Sequence, residues 1–191
     1  NSGSIASRTT GMYVYEVGYS SFSGNITNSG KITAADGKGL YVKSVAYAGT
    51  ASFIGNIVNS GKISAGKTGM SIVDVGYARF SGNIINSGSI TAAGSGTGIY
   101  IDNVGNDTFA GNITNTGTIA APGSYGIRVS SVAKGAGATF SGNIGNSGSI
   151  SSYKTGILVS SVAKGAGGSF NGNIVNTGKI TTVTDTGLDI H

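Results

Sequence analysis

The chain has no cysteine and no tryptophan, one proline and one histidine among 191 residues. Without cysteine, neither a disulfide framework nor a thiolate metal site is possible. Only 10% of residues are charged, and the seven acids leave little material for a carboxylate-lined catalytic groove. No apolar run approaches the roughly 18 residues that span a bilayer, and no signal peptide is visible. The net charge of +5 is scattered along the chain with no basic block, so nucleic-acid binding is a poor fit. Glycine is abundant at 35 residues but follows no Gly-X-Y period, which excludes collagen. Disordered chains combine high charge with few β-branched residues, and this composition does the opposite.

What the chain does have is a repeat. An eleven-residue element, Phe-x-Gly-Asn-Ile-x-Asn-Ser/Thr-Gly-x-Ile, begins at Phe22, Phe53, Phe80, Phe109, Phe140 and Phe170. These are all six phenylalanines of the protein, spaced 31, 27, 29, 31 and 30 residues apart. A truncated copy, Asn1-Ser2-Gly3-Ser4-Ile5, opens the chain. A period near thirty defines a stacked repeat architecture, one continuous solenoid over residues 1–191. Both ends fall in mid-repeat, so a segment of a longer protein is expected.

A second motif, Gly-apolar-x-Val/Ile, alternates with the first, as in Gly39-Leu40-Tyr41-Val42 and Gly98-Ile99-Tyr100-Ile101. Its alternation has the period of a strand, and nothing sustains a helical period. Each repeat is therefore expected to hold three short strands joined by Gly-rich or Asn-Ser-Gly corners. Side-chain parity puts Phe53, Ile57, Asn59 and Ile63 on one face, with Ile54, Asn56 and Val58 on the other. The fold expected is all-β, a right-handed parallel β-helix of about six to seven coils of roughly 30 residues, the hand following from parallel crossovers. Strands about 4.8 Å apart would make a rod on the order of 30 Å long.

In such a stack each repeated position becomes a column. The six phenylalanines would stack ring on ring. The asparagines Asn28, Asn59, Asn86, Asn115, Asn146 and Asn176 would form an amide ladder beside a glycine corner. Chemistry must come from what remains. Asp74 and Asp102 are the one carboxylate pair on adjacent repeats, and solvated surface explains them more simply than an acid/base or calcium site. Three glycosylation sequons, at Asn25, Asn106 and Asn112, are mostly accounted for by the repeat. No catalytic residue, metal or cofactor is expected.

Two outward tyrosine columns stand out: Tyr13, Tyr41 and Tyr100, interrupted by Ser71, and Tyr19, Tyr47 and Tyr77. An apolar ring with a polar tip suits carbohydrate or protein contacts.

The pattern Ile-x-Asn-Ser-Gly-x-Ile followed by Gly-Ile/Leu-x-Val/Ile, as in Ile84–Ile90 and Gly98–Ile101, resembles the degenerate repeats of autotransporter passenger domains of Gram-negative surface proteins. That resemblance implies an extracellular β-helix, cysteine-poor for export and attached to the outer membrane through a barrel outside this segment. It implies a non-enzymatic stalk or adhesin that binds a host or surface glycan or protein, or self-associates. A structural subunit of an extracellular filament or surface layer is the alternative, and a polysaccharide-active β-helix enzyme a more distant one.

Overall fold

A computed structural model describes residues 1–191 and contains 26 short strands and no helix. All strand pairs are parallel. The strands form four sheets, two of seven strands and two of six, that run along a β-solenoid of six full coils preceded by a partial one. The third coil is representative. It runs Arg79–Ser81, Ile84–Asn86, Ser89–Ala92 and Ile99–Val104. These belong in turn to what we call the phenylalanine, asparagine, isoleucine and tyrosine sheets.

Four strands per coil, rather than three, is a correction with a local cause. The segment from Phe to Ile reads as one strand by parity, but its glycine breaks it. Gly24, Gly55, Gly82, Gly111 and Gly142 take φ between 142° and 148°, a region that L side chains rarely enter. A Cβ on Gly82 would also lie 1.8 Å from the Gly55 carbonyl oxygen of the preceding coil. The chain turns there and starts a new sheet, yet parity survives the turn. Phe53, Ile57, Asn59, Ile63 and Ala65 are all buried.

The core is one continuous apolar cluster filled by columns of like residues. Registered pairs such as Phe80–Phe109, Ile84–Ile113 and Ile90–Ile119 put each residue directly over its counterpart. Phe53, Phe80, Phe109 and Phe140 are fully buried, while Phe22 and Phe170 on the outermost coils are partly covered. The six rings form one stack, with centroids 4.7–5.0 Å apart and planes within 12° of parallel.

Two asparagine ladders hold the corners. In the inner one, Nδ2 of Asn28 donates to Oδ1 of Asn59 at 2.7 Å, and the same bond runs through Asn86, Asn115 and Asn146 to Asn176. Asn1 joins at the start, donating to Asn28 at 2.8 Å. Each amide also reaches the carbonyl of the corner glycine two residues on, as Asn86 does to Gly88 at 3.4 Å. Burial of these amides is tolerated because their donors and acceptors are matched coil to coil.

The outer ladder uses the asparagine that follows the φ-positive glycine. Oδ1 of Asn56 accepts the Asn83 backbone N–H at 2.9 Å and its Nδ2 at 3.0 Å. Equivalent backbone bonds link Asn25 to Asn56, Asn83 to Asn112, Asn112 to Asn143 and Asn143 to Asn173. Sequence parity assigns these residues outward and shows no role for them. The signal was there all the same, in the unbroken Gly-Asn pairing of six repeats.

Candidate functional site

With phenylalanine, isoleucine, asparagine and glycine committed to core and corner, the coils differ on the outer faces, and the tyrosine sheet's outer face is the one that gathers aromatic residues. Registered pairing makes its first outward column Tyr13, Tyr41, Ser71, Tyr100, Arg128, Leu158 and Asp189. The second is Tyr15, Lys43, Val73, Asp102, Ser130 and Ser160.

The first column divides into two cation–aromatic clusters. In the first, Tyr13 stacks on Tyr41 at 4.9 Å and on Tyr15, two residues along its own strand, at 5.2 Å. Lys38 Nζ lies 3.4 Å from the Tyr41 ring centre, and Lys43 Nζ lies 5.9 Å from that of Tyr15. In the second, the Arg128 guanidinium lies 5.6 Å from the rings of both Tyr100 and Tyr125, and Lys154 lies 5.4 Å from Tyr125. Ser71 separates the clusters. It is fully buried, and its hydroxyl has no hydrogen-bond partner.

The other tyrosine row does not behave as a row. Tyr19 is 84% exposed. Tyr47 meets Tyr77 edge to face at 5.0 Å. The Tyr47 hydroxyl is bonded by Asn103, whose amide also donates to Asp74 at 2.6 Å. Tyr47 is thus anchored in the flank, and an open groove of about 510 Å³ lies between it, Tyr19, Glu16 and Ser44. Burial pushes the Tyr41, Tyr47 and Tyr100 hydroxyls above the ordinary phenol range.

Asp74 and Asp102 are not brought into one column. Asp74 is level with Asn103, while Asp102 is level with Val73 and accepts from Ser130 at 3.1 Å. Glu16, Ser44, Asp74, Asn103, Ser131 and Ser161 all take φ between 52° and 57°. Left-handed backbone at a non-glycine residue invites a functional reading. Its recurrence in every coil makes it part of the coil's geometry instead. No group of three or more His, Asp or Glu side chains lies together.

Sequence reasoning picked out Tyr13, Tyr41 and Tyr100 but missed their companions Tyr15, Tyr125, Lys38, Lys43, Arg128 and Lys154. Tyr15 carried a signal, since it shares parity with Tyr13. So did Lys43, which shares parity with Tyr41 on its strand, whereas Lys38 and Lys154 lie in loops whose path only the fold reveals.

The chain is thus a parallel β-solenoid with one variable aromatic and basic flank. No family model matches it, and no curated protein or solved structure matches it either, so its reading rests on its own geometry.

Proposed function

We propose that this chain is a stalk segment of a non-enzymatic extracellular surface protein of the autotransporter passenger kind, attaching to a glycan or protein through its tyrosine flank. One observation carries the reading: aromatic and cationic side chains gather into clusters on the outer face of the tyrosine sheet, at positions the repeat leaves free. The strictly repeated residues are absorbed by core and corner. A rod of this kind holds its flank rigid, because each coil is locked to its neighbours by ladder bonds and ring stacks. Rigid tyrosines lose little entropy on contact, which suits them to recognition.

A glycan array probed with the purified chain tests the reading. Retention that falls on Tyr13→Ser combined with Tyr41→Ser supports it. Absence of retention on any glycan, together with a strictly monomeric sedimentation profile, would defeat it. Filaments seen by electron microscopy would turn the case toward a structural subunit.

A further inference from the structure

Tyrosine rows on a surface suggest neutral sugars stacking on ring faces. The geometry argues otherwise. Tyr13 lies face to face with Tyr41 and stacks on Tyr15, and Lys38 covers Tyr41. These contacts turn ring faces of the pile toward one another and toward Lys38. An aromatic ring is negative on its face and positive at its edge. Such a pile therefore offers a ligand its positive edges, phenol hydroxyls and ammonium groups.

The flank's cations also make no ion pair. The chain's one Lys/Arg ion pair is Arg8–Asp36, and none of Lys38, Lys43, Lys67, Arg128 or Lys154 lies within ion-pair distance of an acid. Two of the flank's acids are hydrogen-bonded elsewhere, Asp74 by Asn103 and Asp102 by Ser130. Nε of Arg128 is buried with no partner. Partial burial, with Lys43 and Lys67 close by, lowers the affinity of Lys38 for its proton. A nearby anion would reverse that. The two clusters sit on one face, displaced along the rod axis by the level of Ser71.

We propose that the tyrosine flank binds an acidic polysaccharide laid along the rod axis, its carboxylate or sulfate oxygens held by Lys38, Lys43 and Arg128 and by the hydroxyls of Tyr13, Tyr41 and Tyr100. This rests on the surface-attachment reading and adds the charge class of the ligand. Single-stranded nucleic acid fits less well, because its bases need free ring faces to stack on.

The test is calorimetric titration of the purified chain with four probes of matched length. These are a galacturonate oligomer, a sulfated heparin-type oligosaccharide, a neutral cello-oligosaccharide and an oligo-dT strand. Binding to the galacturonate or the sulfated probe, whichever anion it prefers, is expected to weaken about tenfold or more in Lys38→Gln with Lys43→Gln. Lys62→Gln with Lys179→Gln removes the same charge from the isoleucine sheet and should cost less than about twofold. Equal losses in the two pairs would overturn the assignment to this flank. Neutral probe binding as tightly as acidic would overturn the charge class and leave surface attachment standing. Tighter binding of oligo-dT would replace the glycan by nucleic acid. No binding to any probe would remove the inference, and an empty glycan array with a strictly monomeric sedimentation profile would remove the parent reading with it. Thermal melts of the lysine variants at or above that of the parent confirm that loss of fold is not the cause.

Discussion

The phenylalanine column and the first tyrosine column climb the same rod, one inside and one outside, and follow different rules. Inside, six coils place the same residue at the same level, and the rings stack at 4.7–5.0 Å. Outside, the column changes from Tyr13 and Tyr41 to Ser71, Tyr100, Arg128, Leu158 and Asp189. The difference follows from what each column can use as a partner. A buried ring or amide has only its own counterparts one coil up and down, so a replacement leaves two neighbours unmatched. An outward residue has water on one side, so each coil is free to differ. Identity inside builds the rod, and variety outside is where recognition can be written.

The comparison breaks most visibly at Phe80. Phe80→Ala should cost about 3–5 kcal/mol, because the ring is fully buried and its two stacking partners are held by their own strands. Phe22→Ala, on a partly covered coil, should cost clearly less by chemical denaturation. Equal costs would mean that the stack is not the unit of stability. Next comes Asn86→Ala, expected to cost about 1–3 kcal/mol by leaving the Asn59 donor and Asn115 acceptor unmatched in the core. A melt overlaying that of the parent would refute the amide ladder.

The smaller effect has the opposite sign. Ser71 is the one member of the first outward column that is fully buried with an unpartnered hydroxyl. Ser71→Ala should stabilise the chain by about 0.5–1 kcal/mol, since it removes a polar group that has lost water and gained nothing. Destabilisation would show that the hydroxyl has a partner after all.

How much of this was legible in the sequence follows the same inside–outside division. The period, the parallel coil and both sets of inward residues could be read because stacking forces identity, and identity is visible as a repeat. The fourth sheet was hidden because Gly55 and its counterparts turn the chain while keeping the side-chain parity that a single strand would have. The outer ladder was hidden because parity reports which way Asn56 and Asn83 point, whereas their bonds run along the rod axis. On the flank, outward direction was readable for Tyr13, Tyr41 and Tyr100. That Tyr47 would instead be tied to Asn103, and that Lys38 would lie on Tyr41, depended on loop paths. No local pattern encodes those.

The last distinction is electrostatic and concerns the tyrosines themselves. Burial raises the pKa of Tyr41, Tyr47 and Tyr100 above the free value of 10.0. A phenol with a raised folded-state pKa holds its proton more tightly folded than unfolded. Its stabilising contribution is full below pH 10 and is lost as pH climbs through the folded-state value. Lys38 works in the opposite sense, because its lowered pKa penalises the folded state while the ammonium is charged, and that penalty fades as pH approaches 10.5. Thermal midpoints should therefore be flat or rise slightly toward pH 10 and fall beyond it. Lys38→Met should abolish the rise and keep the fall. Phenolate absorbance should show the nine tyrosines titrating heterogeneously, with Tyr41→Phe, Tyr47→Phe and Tyr100→Phe each removing part of the late phase. A single titration near the free value, unchanged in all three variants, would mean that these rings stand in water, and the flank would be a loose fringe of side chains on the rod.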